Sequence, residues 1–581
     1  MKRLLKNGTV VNVFTGELIK TNVLFENGII LGVDDYGDDE ADEVIDAAGK
    51  YICPGFIDGH IHIESTMLTC PEFAKTAVEF SKLVIPNGTV GVVADPHEIA
   101  NVSGKDGLRY MIESSEGLPL TVYFVIPSCV PATSFDESGA VLSADDIEEF
   151  YSESRVLGLG EVMNYVGVVA GDGELEKKIK SALSRGLVVN GHAPLLSGKP
   201  LDKYISAGIG DDHECSSADE AKERIRKGQR IMIRQGTAAR NLSGLISLFD
   251  DPWEQRCLLV TDDKHPADLI SNGHIDSIIR SAVQMGKSAV TGIRMATLHA
   301  AECFGLKNTG AVAPGYKADL LVLDDLDKVI VRDVYKNGEK VVSDGKTLCF
   351  DMPKINDSLE RKVRSSFNLP MLSSSDFAVD YNGKRKCHVI SLVDGQLLTD
   401  DLVSDIDFDC NNGIDIEHDI LKIAVIERHH NTGHIGNAFI KGIGLKEGAI
   451  ASSVAHDSHN LIVIGTNTDD MAFAANCIRE LGGGIVSVKN GKVVAEMPLP
   501  IGGLMSCETA ERAAEENEKV RESVYSLGVP KGFEPFMIMS FLSLPVIPHL
   551  KLTTKGLVNV DTQSEVPLAA GKKNCIYKSF C

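Results

Sequence analysis

Two imidazoles two residues apart, His60 and His62 in Pro54-Gly55-Phe56-Ile57-Asp58-Gly59-His60-Ile61-His62, project from the same side of an extended chain. A pair of this kind at a strand end is half of a metal site. The apolar stretch from Tyr51 to Ile57, punctuated by Pro54 and Gly55, reads as the buried strand that carries it. A H-x-H alone is more often plain packing or surface histidines than a metal site, so the remaining ligands decide the matter. Suitable residues end the later apolar runs: Asp95-Pro96-His97-Glu98, Glu161 in Gly160-Glu161-Val162-Met163-Asn164, His192 in Asn190-Gly191-His192, His213 in Asp211-Asp212-His213-Glu214, and Asp262 in Val260-Thr261-Asp262-Asp263. Singly, His192 and His213 read as core or capping histidines and Glu161 and Asp262 as helix N-caps. As an ordered series they read as one nitrogen-and-oxygen site that suits Mn²⁺, Fe²⁺ or Zn²⁺.

The elements that must position them alternate. From Tyr51 to about Leu306, strand-like runs such as Gly91–Ala94, Thr121–Ile126, Val156–Gly160, Gly186–Asn190, Ile231–Arg234 and Cys257–Thr261 are separated by helix-like ones. Repeated βα units over some 250 residues have the size and rhythm of a (β/α)8 barrel, with a doubly wound sheet as the alternative, and a barrel gathers catalytic groups at the C-terminal ends of its strands. The expected fold is therefore α/β, a TIM-like barrel at 51–309. Residues 1–50 and 310–352, both β-prone with Asn-Gly turns at Asn7-Gly8, Asn27-Gly28 and Asn337-Gly338, are expected to build one β-sandwich from both flanks of the barrel. A polar stretch with prolines and serines at 353–375 reads as a linker, and 376–581 as a C-terminal α+β domain.

Composition narrows the partners. A formal charge of −24 over 581 residues argues against nucleic acid or an anionic membrane and for a small molecule. The basic N-terminus turns at Asn7-Gly8 instead of entering an apolar signal core, and no later run spans a bilayer. Thirteen scattered cysteines read as reduced thiols of a cytoplasmic protein, and the absence of any C-x-x-C excludes the usual zinc knuckles and the sulfur half of the cytidine-deaminase signature, which His62-Ile63-Glu64 imitates in its first half only.

The ordered set resembles that of the amidohydrolase superfamily, whose barrel carries H-x-H after the first strand, a bridging carboxylate, two later histidines and a final aspartate. Many members bridge two metals with a carbamylated lysine after the fourth strand, but no lysine occurs here between Lys105 and Lys177, and Glu161 stands in that place. With the Asp95-Pro96-His97-Glu98 block and Ala455-His456-Asp457-Ser458-His459-Asn460 in an extra C-terminal domain, the whole chain is similar to the bacterial and archaeal adenine deaminases. That resemblance implies two divalent ions, manganese or iron in preference to zinc, with His60, His62 and Asp262 on one, His192 and His213 on the other, and Glu161 shared. It implies hydrolysis of adenine to hypoxanthine and ammonia in purine salvage by a homo-oligomeric enzyme. Asp262 is the candidate for taking a proton from the attacking water, and Glu98, His97 or Glu161 for supplying one to the ring. The alternatives are a cyclic-amide hydrolase of the hydantoinase or dihydroorotase kind and a metal-binding barrel without catalysis.

Other residues have both a functional and a bland reading. Asp95 caps and Pro96 starts a helix in the plain reading, while Asp95 contacts substrate in the other. Arg234 and Gln235, ending a strand-like run, read as contacts to a purine edge or as a surface turn. His299 reads as packing. Leu481-Gly482-Gly483-Gly484 is no phosphate cradle, because a strand-like run follows it where a helix is required. The C-terminal histidines His429, His430, His434, His456 and His459 read as a second metal site, as groups leaning over the barrel mouth, or as polar surface.

Overall fold

The computed structural model describes residues 1–68, 79–237, 239–350, 354–393 and 398–571. Eight parallel strands, Phe56–Ile61, Thr89–Ala94, Thr121–Ile126, Val156–Val162, Val188–Gly191, Asp211–Asp212, Arg230–Arg234 and Cys257–Val260, follow one another around a barrel. Helices cover the outside, so most of these strands are buried on both faces and read as continuous apolar runs, not alternating ones. Closure rests on single backbone bonds. The Gly210 amide donates to the Val189 carbonyl between the fifth and sixth strands (3.0 Å), and the Asp262 amide donates to the His60 carbonyl between the eighth and first (3.0 Å). Inside, Ile57, Val93, Val125, Met232, Leu258 and Val260 pack as one cluster closed below by Ala300, Ala301 and Phe304, so the barrel is a filled core with its working surface at one end.

The apolar run from Tyr51 to Ile57 is two strands, not one. Tyr51–Pro54 pairs with Leu320–Leu323 and belongs to the flanking sheet, and the barrel starts at Phe56. The break falls at Gly55, where a Cβ would stand 2.3 Å from Val90. Strands from both flanks join in a single nine-stranded sheet in which Leu320–Asp325 is the seam between the N-terminal and returning segments. Asn27-Gly28 and Asn337-Gly338 turn with both residues at positive φ, as tight hairpins require. Asn7-Gly8 does not turn the chain. Strand Arg3–Val11 runs through it, and the extra residues are absorbed as a bulge between Leu5 and Gly8.

The stretch read as a linker contains a helix, Asp357–Arg364, capped by the Asn356 side chain and burying Leu359 and Val363 four residues apart. The sequence boundary between return segment and linker, 351–353, lies outside the described residues. Beyond it an eight-stranded sheet, with Ile420–Ile426, Leu461–Gly465 and Gly484–Lys489 among its strands, carries helix Thr468–Leu481, the α+β content expected there. This domain sits against the barrel mouth: the Asn460 amide donates to the Glu137 carbonyl (2.7 Å) and the Ser506 amide to the Met67 carbonyl (2.8 Å). Among the described residues no helix is long and apolar enough to cross a membrane.

Candidate metal centre

A bulge aims the first two histidines. The register slips by one residue between Asp58 and Ile61, so that Ile57 faces the barrel core and, beyond the extra residue, His60 and His62 also face inward. Asp58 braces the turn, accepting from the amides of His60 (3.2 Å) and Thr261 (3.1 Å) and lying 3.1 Å from His274 Nε2. The His62 Nδ1–H donates to the Asp95 carbonyl (2.9 Å), which fixes its tautomer and leaves the Nε2 lone pair facing the cavity.

Glu161, ending the fourth strand, lies between two groups of imidazoles. Its Oε1 is 2.9 Å from His60 Nε2 and 3.0 Å from His62 Nε2, while Oε2 is 2.6 Å from His192 Nδ1 and 3.6 Å from His213 Nε2. Asp262 Oδ1 completes the first group, 3.2 Å from His62 Nε2 and 3.7 Å from His60 Nε2. Asp262 holds a left-handed backbone (φ 63°), a conformation aspartate tolerates better than most side chains and one often kept where a side chain must be aimed. The six residues that the sequence brings forward as ligands therefore converge: His60, His62, Glu161 and Asp262 as one cluster, and Glu161, His192 and His213 as another.

The donors fit a cation better than they fit one another. His60 Nε2 and Glu161 Oε1 are buried and face each other without forming a hydrogen bond, an arrangement that is costly unless a third party satisfies both. Bonds of about 2.0–2.2 Å to a shared ion leave neighbouring donors roughly 3–3.5 Å apart, which is the spacing seen. Electrostatics agree. Burial works against its charge, but the surrounding imidazoles hold Glu161 well below the ordinary carboxylate range. Burial likewise opposes ionisation of Asp262, and the Arg234 guanidinium outweighs it. Burial pushes His60 down, while His213 is pulled up to about 9 by Glu161 and Glu214 against the same burial. The pocket thus favours positive charge, which a cation held by these groups would supply.

Packing behind Glu161 depends on a glycine. The Asp95 carboxylate Oδ2 accepts the Glu161 amide (2.8 Å), and a Cβ on Gly160 would lie 2.2 Å from that oxygen. Gly160→Ala is expected to cost about 1–3 kcal/mol and to displace Glu161. Thermal melting should drop and bound metal, measured by elemental analysis, should fall with it; unchanged metal content would separate the glycine from the site.

The remaining expected site residues are dispersed. Asp95 lies beneath the cavity wall as a brace for Glu161, not on its surface. His97 lines the cavity with its ring against His62 (centroids 4.4 Å) and its Nε2 3.7 Å from Asp457. Glu98 is buried behind His456, whose Nδ1 it meets at 2.9 Å. Arg234 lines the cavity but is engaged: it makes a two-pronged pair with Glu214 (2.6 and 2.9 Å) and reaches Asp262 Oδ2 at 2.6 Å. Gln235, one residue on, turns into a neighbouring cleft with Lys264 and Asp268. The His299 Nδ1–H donates to the Cys257 carbonyl (3.1 Å), in the packing role expected. Glu214 was visible beside His213 but had no partner in the sequence; its role emerges only when the seventh strand brings Arg234 alongside. His456 and Asp457 arrive from the C-terminal domain and, with Phe541, Leu544, Ile547 and Pro548, roof a cavity of about 270 Å³ over the candidate ligands. His429, His430 and His434 stay outside it, bonded to Ser458, Ser138 and Glu137.

Two family profiles cover this architecture, the amidohydrolase family over residues 51–348 and the adenine deaminase C-terminal domain over 396–564. Over nearly their full lengths, relatives are similar throughout. Adenine deaminase 2 of Carboxydothermus hydrogenoformans is 44% identical over 569 residues (97% of this chain, 96% of that protein). The adenine deaminase of Petrotoga mobilis is 44% identical over 563 residues (97% and 96%), and that of Halalkalibacterium halodurans 41% identical over 566 (97% and 94%). With the barrel and the roofing domain both matched and relatives 41–44% identical over nearly the whole chain, the chain belongs to the amidohydrolase family and, within it, to the adenine deaminases.

Proposed function

We propose that the protein hydrolyses adenine to hypoxanthine and ammonia, serving purine salvage in the cytoplasm, with His60, His62, Asp262, His192, His213 and the bridging Glu161 holding two divalent cations. What supports the reading is one carboxylate whose oxygens each face a different group of imidazoles, in a chain whose barrel matches the amidohydrolase family and whose C-terminal domain matches that of the adenine deaminases. Two cations there would supply the Lewis acidity that turns water into hydroxide at neutral pH. Manganese or iron is the preferred pair.

The chain's own groups divide the remaining work. Asp262 presents Oδ1 to the ligand cluster while Arg234 holds Oδ2, so the carboxylate stays ionised, aimed and able to take a proton from the attacking water. Glu214 neutralises the guanidinium that does the aiming. The aromatic and aliphatic roof covers part of the cavity with apolar surface, which strengthens each of these charges. The cavity takes a small ligand and not a polymer, in keeping with the acidic surface.

A chelator is expected to abolish adenine deamination, followed by the fall in ultraviolet absorbance, and Mn²⁺ or Fe²⁺ to restore it more fully than Zn²⁺. Hydantoin and dihydroorotate should be inert. Turnover of a cyclic amide with adenine untouched would overturn the reading.

A further inference from the structure

The C-terminal domain contributes His456, a histidine that the barrel chemistry leaves unused. Its Nδ1–H donates to Glu98 Oε1 (2.9 Å), and its ring stacks on Phe541 (centroids 4.5 Å, planes 24° apart). Its backbone is pinned as well, the amide donating to the Ser540 carbonyl at 2.7 Å. With Nδ1 committed and the residue lining the cavity, Nε2 is the atom left to meet a ligand. Glu98, in turn, reaches the cavity only through this ring, because it is buried and absent from the cavity wall.

Glu98, His456 and His459 lie close enough to suggest a separate cation site, and Glu98 Oε2 and His459 Nε2 are both buried without a hydrogen bond. The tautomer argues otherwise. The Ala455 amide donates to His459 Nδ1 (3.1 Å), so the proton of the neutral ring sits on Nε2 and that nitrogen has no lone pair to offer a metal. His459 Nε2–H instead faces Glu98 Oε2 at 3.8 Å and, with the Ser65 hydroxyl (3.0 Å), adds positive potential to a carboxylate that orients His456. The cluster is built to hold a proton on His456: burial opposes the charge, but Glu98, Asp263 and Asp457 raise the ring to about 9.

On the reading that this site deaminates adenine, we propose that His456, oriented by Glu98, is the catalytic acid that protonates the ring nitrogen next to the reacting carbon, so that a residue of the C-terminal domain completes the barrel's active site. As hydroxide adds to C6, the electron pair of the N1=C6 double bond moves to N1 and takes the proton from His456 Nε2. The C6–N bond then breaks with the proton held by Asp262 going to the amine, which leaves as ammonia. The added hydroxyl releases its proton to water as the carbonyl forms, and His456 regains one from water. The sum is adenine plus water giving hypoxanthine plus ammonia. Glu98 is on this account a positioning residue.

The test uses the full-length protein loaded with Mn²⁺. His456→Gln is expected to lower kcat on adenine about 10²- to 10³-fold with KM within about threefold and metal content unchanged. His456→Ala should regain at least tenfold when imidazole is added, the gain following the pKa of substituted imidazoles, which a structural role would not produce. A kcat within threefold of wild type, a loss carried by KM, or no rescue would overturn the assignment. Wild-type protein inert on adenine would instead fault the reading beneath it.

Discussion

Glu161→Gln is expected to cut bound metal from two ions per chain to one or fewer and to lower adenine turnover by at least about 10³-fold, with the fold retained. The substitution keeps the size of the side chain and removes its charge, so the barrel should pack as before. What changes is the number of usable lone pairs. In the wild type Oε1 serves His60 and His62 and Oε2 serves His192 and His213. A glutamine presents a carbonyl oxygen to one group and an NH₂ to the other, and an NH₂ donates where a ligand must accept. Elemental analysis with circular dichroism reads the two effects separately. A variant with two metals and normal activity would remove Glu161 from the bridge.

Glu161 was legible because a single residue type carries the argument: a carboxylate at the end of the fourth strand-like run, in a stretch with no lysine. The histidines were legible by order along the chain. Barrel strands were legible for a physical reason, since burial on both faces makes each a short apolar run. The bulge at Asp58 to Ile61 was not, because a one-residue slip leaves no trace in composition, yet it sets the direction of His60 and His62. The pairing of Arg234 with Glu214 and Asp262 was hidden for another reason. It depends on strand ends that are neighbours in the barrel and far apart in sequence, so Arg234, read as a purine contact or a surface turn, gave no sign that two of its nitrogens pair with Glu214 and Asp262. Gln235 followed it into the same expectation, and alternation along the chain sends it to the other cleft. The pairing of His456 with Glu98 was furthest from reach: 358 positions separate the two in sequence, and only docking of the second domain joins them.

Asp262→Asn should separate chemistry from metal binding, where Glu161→Gln loses both. The asparagine carbonyl still offers one oxygen toward His60 and His62, so metal content should fall only partly. Its amide cannot accept a proton from water, so kcat should drop about 10³-fold. The Arg234 contact sharpens the expectation. Wild-type Oδ2 receives the guanidinium at 2.6 Å, and burial of that cation is tolerable because Asp262 and Glu214 together answer it. With a neutral side chain at 262, only Glu214 remains, and the asparagine must turn its oxygen toward Arg234 or toward the ligand cluster, not both. If it turns to Arg234, metal loss grows; if it turns to the cluster, an NH₂ meets a guanidinium and stability falls. Adding Glu214→Gln to Asp262→Asn should therefore cost more than the sum of the single changes in thermal stability, because the second substitution removes the last counter-charge. Strict additivity in that cycle, with full metal occupancy and a kcat near wild type in Asp262→Asn, would leave Arg234 free to contact substrate after all and would return the proton-accepting role to another carboxylate.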